Sequence, residues 1–539
     1  MRPLIVDALG AGRSGRVATI DALGSGPRAV AGILERKGME PKIRTAGEAL
    51  RDHRQVQEYD VLLISAMTVD LPSVKRLVRY WRRTHKDKNV IVGGPISSSP
   101  DDALMKAGAD LAVIGESERT LQEVLDRDPD LALKDYESIP GTAYHFRGGI
   151  VVNPLRPPMS RAEYDSYMPS TKTIRDYPLH FASRVYVEVL RGCSNYRRSR
   201  LQLRDDRKCT DCDKCIKGGL YDRYECPAMI PPGCGYCSVP SLFGPPRSRS
   251  VERIVEEVSA LLDCGVKRIV LSAPDFLDYG RDLLVEPMPL TDPTEPPANH
   301  EAIEALLSRL SEIHSFRNGS AAIMVENIKA SLVDEALAKI MGEYLAGSAV
   351  NIGCETGSET HSVLLGRPSS PKETSRVIEL LSRAGLKPYV YFIHGLPGQS
   401  IDTARETRNM INESVKKGAE RIILYRFQPL PMSAFGDCPA PPPAEGDPGS
   451  RIIHEAARQA NLKLKRDLLG TSLRVVLAQE YDRDRSYVVA YPLQHGPVVL
   501  VRDARSMIGE SHEAVIERVV SERMVGGRIL SPRDSPVAG

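Results

Sequence analysis

Residues 191–238 read RGCSNYRRSRLQLRDDRKCTDCDKCIKGGLYDRYECPAMIPPGCGYCS, and they hold seven of the chain's ten cysteines. Pairwise packing does not call for that density. Clustered thiolates call for a soft metal. Two sets are nested here. The inner set is Cys209, Cys212, Cys215 and Cys226, with Pro227 following. C-x2-C-x2-C with a later Cys-Pro lets three thiolates wrap one iron–sulfur cubane while a fourth, here Cys226, arrives from another loop or, as in bacterial ferredoxins, serves the other cluster. Zinc competes, because four thiolates also suit a closed tetrahedral site. A disulfide framework would need an oxidising compartment, and nothing marks the chain as secreted. A purely structural use of all seven cysteines is the blander alternative.

The outer set is Cys193, Cys234 and Cys237. With the insertion 194–233 set aside, the text joins as RGC…CGYCSVPSLFGPPRSRS. This resembles the radical S-adenosylmethionine superfamily, whose cluster motif is C-x3-C-x2-C with an aromatic residue before the last cysteine. Tyr236 stands in that aromatic place. The chain departs from the pattern: 40 residues separate Cys193 from Cys234, and Arg197 stands where the second cysteine is usual. The resemblance implies that these three cysteines hold a 4Fe–4S cluster with one iron left for the amine and carboxylate of S-adenosylmethionine. It implies reductive cleavage to a 5′-deoxyadenosyl radical. It also implies a reductant such as ferredoxin or flavodoxin.

A chain of 539 residues holds two to four domains. Its 42% hydrophobic and 26% charged content is ordinary globular usage. A net charge of +2 argues against a surface uniformly coated by nucleic acid. No apolar run reaches the roughly 20 residues of a membrane span. The opening MRPLIVDALG lacks the basic region and long apolar core of a secretory signal. A cytoplasmic location is expected.

In residues 1–150 the strands PLIVDA (3–8), DVLLISA (60–66), NVIVGGP (89–95) and LAVIGE (111–116) alternate with helical stretches such as SVKRLVRYWRRT (73–84). Alternation of this kind predicts a doubly wound parallel α/β sheet with a ligand beyond the strands' carboxyl ends, at Gly93 and Gly94. VIVGGP…ADLAVIGESERT resembles the cobalamin-binding domain that precedes many radical enzymes. The DxHxxG histidine motif of base-on cobalamin proteins is absent. GAGRSG at 10–15 matches G-x-G-x-x-G, but the next helix opens near Pro27 and the strand PKIRTA ends without a carboxylate. That favours a loop or turn over a dinucleotide site.

Residues 151–183 read as a linker. Residues 184–435, carrying the insertion 194–233, hold six strands: 184–190, 267–272, 320–325, 349–354, 388–394 and 421–426. Six strand–helix units predict a partial TIM-like barrel with its chemistry on the carboxyl rim. Helix 251–263 shows one apolar face, with Ser250 as N-cap. On the rim, GCETGS (353–358) resembles the family's nucleoside or methionyl contacts at Glu355 and Ser358; pairing of Glu355 with a rim arginine is the alternative. YFIHGLPGQS (391–400) resembles the adenine motif, through Gly395, Pro397 and Gly398. His394 is a candidate general acid or base, or a hydrogen-bonded structural group. Asp275, in SAPDFLDYG, stands where the family holds the methionine amine. Asn327 ends the third strand.

Residues 436–465 read as a linker and helix, and 466–539 as a small β-barrel. GTSLRVVLAQEY…VVAYPLQHGPVVLV…IGE resembles a TRAM domain, the oligonucleotide-binding-type barrel of several RNA-modifying enzymes. Arg502, Arg505, Arg518, Arg523 and Arg528 are candidate phosphate contacts, diluted by nearby carboxylates. A barrel that closes the active site is the other reading. The layout resembles archaeal-type Fe–S oxidoreductases of the radical superfamily with a cobalamin-binding-like domain. The expected function is methylation or thiolation of an RNA or another macromolecule, with two 4Fe–4S clusters, S-adenosylmethionine and a possible cobalamin. The alternatives are a cobalamin-independent radical oxidoreductase and a non-catalytic, RNA-binding electron carrier.

Overall fold

In the computed structural model, residues 1–8, 21–51, 56–131 and 136–530 are described. The GAGRSG motif at 10–15 lies outside them. The chain divides into two compact units. The first comprises Met1–His180, Val185–Val187 and Leu242–Gly265; the second comprises Phe181–Arg184, Glu188–Ser241 and Val266–Gly539.

The first unit is built on a sheet in the order Lys42–Thr45, Pro3–Asp7, Val61–Ser65, Val90–Gly93, Leu111–Val113, Thr142–Phe146, Gly149–Val152. The first five are parallel, and the last two form an antiparallel extension. Its central strands Pro3–Asp7 and Val61–Ser65 are short and almost wholly buried, as expected where helices cover both faces. Helix Leu71–Thr84 shows why: Val74, Leu77, Val78 and Trp81 repeat at helical spacing and face the core. The stretch Asp101–Lys106 is π-helical. Residues 151–183, read as a linker, hold the helix Arg161–Ser166 with a capping box and the buried Tyr164 and Tyr177. Helix Val251–Asp263 also belongs here, and Ser250 Oγ accepts from Arg253 N. Its fully buried Glu257 is shared by Arg28 at 2.8 Å and Arg249 at 2.7 Å. A buried carboxylate needs such pairing.

The second unit holds the half-barrel, apart from Val185–Val187 of its first strand, which fall in the first unit. Its strands are first Arg184–Glu188, second Arg268–Ser272, third Ala322–Ile328, fourth Ala349–Glu355, fifth Lys387–His394 and sixth Arg421–Arg426, neighbours in that order. The second to sixth run parallel, and just past the first strand Val189 N donates to Ser272 O at 2.9 Å. A curled parallel sheet presents its carboxyl ends on one rim, where loops can converge on a ligand.

A 19-residue helix, Pro448–Arg466, leads to the tail. There five strands close a barrel in the order Ser472–Glu480, Tyr487–Pro492, Val498–Arg502, Met524–Ile529, Ser511–Val519. Side chains alternate across its wall. Val475, Leu477, Val488, Ala490 and Val499 fill the interior. Val476, Ala478, Val489, Tyr491 and Leu500 point outward and pack on Ala182 and Ala322. Those two residues stand at the amino ends of the first and third half-barrel strands. Lys267 Nζ donates to Gly509 O at 2.8 Å, and Gly496 N to Tyr389 Oη at 2.9 Å, at the same end. The tail barrel thus supports the floor of the half-barrel, opposite the rim; the expectation that it closes the active site is corrected. Burial of its outer apolar face requires a flat apolar partner, and the amino ends of the strands supply one.

Candidate functional site

Three pieces of chain meet on the rim. One is Cys193–Ser199, after the first strand. The second is Cys234–Cys237, ahead of the short helix Val239–Phe243. The third is the loop after helix Glu359–Leu364, residues 364–368. That loop stitches the other two together. Arg200 N donates to Leu364 O at 2.8 Å, and Gly235 N to Leu365 O at 2.8 Å. Asn195 Nδ2 donates to Gly366 O at 3.0 Å and to Cys234 Sγ at 3.2 Å. Arg197, standing where a second cysteine is usual, donates to the carbonyls of Arg367 and Pro368, each at 3.4 Å. Gly366 has φ +75°, and a Cβ there would lie 2.8 Å from the Arg198 backbone. Only glycine fits such an approach without strain.

Cys193 and Cys237 keep some exposed surface, yet the protein packed around their sulfurs raises both thiols, Cys237 to about 12. Each of these sulfurs feels the charge of a neighbouring cysteine: Cys237 acts on Cys193, and Cys234 on Cys237. Asn195 N donates to Cys193 Sγ at 3.4 Å. Among the described residues, no three His, Cys, Asp or Glu side chains converge as ligands of one metal ion. A cubane spreads its thiolates over separate corners and does not ask for that convergence.

Beneath Cys193 lies a buried ionic network. Ser194 donates from N and Oγ to the Asp278 carboxylate at 3.1 and 2.9 Å. Lys329 Nζ donates to Ser194 Oγ and to Asp278 Oδ2, each at 2.7 Å, and sits 2.8 Å from Asp275 Oδ2. Arg281 pairs with Asp278 at 2.5 Å. Burial alone would lower Lys329, but the Asp275 and Asp278 carboxylates hold its ammonium charged. Burial raises Asp275; Asp278, though buried as well, is held below its usual range by Lys329 and Arg281. Asp275, expected to face the methionine amine, also accepts from Leu277 N and Lys329 N. Its contacts tie the second and third strands to the Cys193 loop. Lys329, Asp278, Arg281 and Asn195 were missed in the sequence. Their one signal is charged or amide residues crowded at strand ends that are otherwise apolar.

Glu355 ends the fourth strand with φ +65°, a strained conformation for a side chain of its size. It lies 3.4 Å from Arg367 Nη1, as the rim-arginine alternative expects. Arg367 also bonds the Tyr236 hydroxyl, and donates to Gly353 O at 2.5 Å. Arg367 thus joins the residue before Cys237 to the end of the fourth strand. Burial raises the Glu355 carboxyl and Arg367 opposes it. Asn327, ending the third strand, has φ +32°.

Ser358 caps helix Glu359–Leu364, so its hydroxyl accepts from His361 N. Gly395 N donates to Gln399 Oε1 at 2.8 Å, and Pro397 O accepts from His361 Nε2 at 2.9 Å. Gly398 faces Leu201 and His361. His394 alternates with Ile393 and Tyr391. Tyr391 stacks on Tyr425 in the lumen, with centroids 5.7 Å apart and planes 9° apart. His394 therefore lies on the helix-covered face, and the charges acting on it include His454 and Asp447. Burial lowers its imidazole. The expectation of a rim acid–base group is replaced by a neutral core histidine, because strand alternation turns it away. In the first unit, Gly93 ends its strand, where a Cβ would only touch Val113 O at 3.9 Å, and Gly94 has φ +85°, with Ala66 O 2.7 Å from where a Cβ would stand. Met67 and Val69, in the neighbouring loop, are exposed. Bare backbone and apolar side chains at the carboxyl edge of a parallel sheet fit a flat macrocycle.

Comparison with known proteins gives these features a frame. The Radical SAM superfamily matches residues 230–411, and the B12 binding domain matches residues 19–125. Uncharacterized protein MK0932 of Methanopyrus kandleri is 42% identical over 98% of this chain and 96% of its own length. Uncharacterized protein MJ1620 of Methanocaldococcus jannaschii is 40% identical over 98% and 99%. The chain belongs to the family of these two proteins. It is a radical SAM enzyme with a B12-binding domain. A putative methylthiotransferase, MJ0865 of M. jannaschii, is 23% identical over 76% of each chain. In fold, the family resembles the radical S-adenosylmethionine methyltransferase TsrM of Kitasatospora setae, at TM-score 0.57 and 15% identity over 81% of this chain and 75% of that one. The cobalamin-dependent radical enzyme OxsB follows at TM-score 0.54 and 14% identity, over 76% and 51%. A radical SAM domain brings a 4Fe–4S cluster and S-adenosylmethionine, and a B12-binding domain makes cobalamin a fitting third cofactor. Among the described residues no helix is long and apolar enough to cross a membrane.

Proposed function

We propose that Cys193, Cys234 and Cys237 hold the cluster that cleaves S-adenosylmethionine, and that the enzyme transfers a methyl or methylthio group to an RNA or another macromolecule. The observation that carries the reading is the stitching of two cysteine arms, 40 residues apart in sequence, by one loop on the rim. When bound there, the cluster supplies one electron for cleavage of a sulfonium carbon–sulfur bond. The chain's own residues do the rest. Lys329 and Asp278 fix the Cys193 arm. Arg367 fixes the Tyr236 turn and Glu355, the candidate contact for the ribose or methionyl part. Tyr391 and Tyr425 offer a stacked aromatic surface in the lumen.

Methyl transfer is supported by the B12-binding domain and by the strand-end glycines Gly93 and Gly94. Methylthio transfer is supported by the sequence relatives of that activity. The tail bears on the substrate. Its strand order is that of an oligonucleotide-binding-type barrel, which favours the TRAM-like reading. The outward face of its first three strands is occupied, however, and most of its candidate arginines meet a carboxylate: Arg502 with Asp503, Arg505 with Glu480, Arg523 with Glu522, Arg528 with Glu517. RNA would have to use the exposed part of the barrel wall, where Arg518 donates to Tyr487 Oη at 3.0 Å instead.

The test is anaerobic reconstitution, with dithionite as reductant, followed by assay for 5′-deoxyadenosine. Product that disappears in Cys234→Ala supports the reading. Absence of product from cluster-loaded wild-type enzyme defeats it. Cobalt retained after purification with cobalamin favours methylation over thiolation.

A further inference from the structure

We infer that Cys209, Cys212, Cys215 and Cys226 form a second metal site, separate from the Cys193 set, whose occupant is a four-iron cluster ligated by the chain at every iron. All four cysteines line one concavity, together with Arg198 and Lys214. The backbone repeats a feature of the first site: Asp211 N donates to Cys209 Sγ at 3.4 Å, as Asn195 N donates to Cys193 Sγ at 3.4 Å. Asp211 and Asp213, between the cysteines, take φ +50° and +55°, which bends the loop around the sulfurs. Arg198 provides an independent sign. It is 4% exposed, its Nε has no hydrogen-bond partner, and it lines the same concavity as Cys215 and Cys226. A buried guanidinium short of one acceptor fits a negatively charged group in the concavity.

Spacing separates iron–sulfur from zinc. C-x2-C-x2-C with a later Cys-Pro, as Cys209, Cys212, Cys215 and Cys226-Pro227 run, is the ferredoxin-type pattern. A cluster with four protein thiolates has no iron left for a substrate. It is therefore limited to taking one electron from a low-potential carrier protein and giving one electron up, with no bond made or broken. The exposed Cys212 and the exposed Tyr221, Tyr224 and Met229 place the site at the surface. Cys209 and Cys226 pack at the edge of the apolar core that holds Tyr236.

The experiment compares three full-length proteins reconstituted anaerobically: wild type, Cys193→Ala/Cys234→Ala/Cys237→Ala, and Cys209→Ala/Cys212→Ala/Cys215→Ala/Cys226→Ala. Iron, sulfide and zinc are measured per chain. Electron paramagnetic resonance of dithionite-reduced samples is recorded with and without S-adenosylmethionine. Wild type should hold about eight irons and each variant about four. The triple variant's signal should ignore S-adenosylmethionine, and the quadruple variant's should respond to it. Should the quadruple variant not fold, Cys212→Ala replaces it, and loss of about one iron with a three-iron signal is expected. A triple variant without iron, or with one zinc and no sulfide, overturns the inference. Iron retained in the triple variant, with a quadruple variant blind to S-adenosylmethionine, would sink the proposed cleavage site and leave this inference standing.

Discussion

Asn195 Nδ2 lies 3.2 Å from Cys234 Sγ, 39 residues away in sequence, and donates to Gly366 O at 3.0 Å. One amide thereby ties both cysteine arms to the loop between the fourth and fifth strands. Groups that hydrogen-bond a metal ligand matter nearly as much as the ligand. Asn195→Ala should lower 5′-deoxyadenosine formation by about 10- to 100-fold. Iron titration and single-turnover cleavage check this; an unchanged rate would contradict it.

Asp278 is fully buried between Lys329 and Arg281. Asp278→Asn takes from buried Arg281 its carboxylate and leaves Lys329 with Asp275 alone, and about 3–5 kcal/mol of stability should be lost. Pairing it with Lys329→Gln should recover part of that loss. Denaturant unfolding of both variants measures the difference.

Arg367 opposes the burial that raises Glu355. In Arg367→Met, the Glu355 carboxyl should rise further. A carboxyl whose folded value lies above its unfolded value contributes stability that is full below the unfolded value and is lost as pH rises through the folded one. The variant should therefore lose more stability than wild type as pH climbs from about 4.5 toward neutrality. Thermal melts across that window decide.

Gly366 tolerates no Cβ against Arg198 at φ +75°. Gly366→Ala should cost about 1–3 kcal/mol and loosen the cysteine arms. Hydrogen exchange at residues 193–200 should quicken, while exchange in the tail barrel should not.

Two buried bases lie where the tail supports the half-barrel. Burial lowers His495 to about 4 and Lys465 to about 8. For a base depressed on folding, the unfolded chain binds more protons between the two values, so stability rises with pH there. Stability should climb from about pH 4 to 6.5 through His495, and again from about pH 8 to 10.5 through Lys465. Lys465→Met should flatten the upper rise and stabilise the enzyme at pH 7 by up to about 3 kcal/mol. Melting temperature against pH, for wild type and variant, checks both windows.

Much of this protein was legible in one dimension. Cysteine spacing offered two candidate sets, the inner one through the short C-x2-C-x2-C run. Strand–helix alternation gave both α/β units, because apolar periodicity is local. The helix 251–263 and its Ser250 cap followed from the same local rule. Glu355 was legible as a residue, and its partner only as a type.

What escaped was register and neighbourhood. His394 sits in a motif that faces the rim, yet alternation turns its ring under the helices. Asp275 ends the expected strand, but Lys329 from the next strand claims its carboxylate.

The sequence by itself determined the alternating units and the closing run of short strands, because these are written in spacings of a few residues, and it offered the two cysteine sets as candidates. Only the tertiary structure decided that residues 364–368 bind the two cysteine arms together, that Lys329 and Asp278 sit under Cys193, and that the tail barrel stands at the floor of the sheet. Those relations join residues tens to hundreds of positions apart. They arise when parallel strands align and bring distant loops to one rim, which no local pattern encodes.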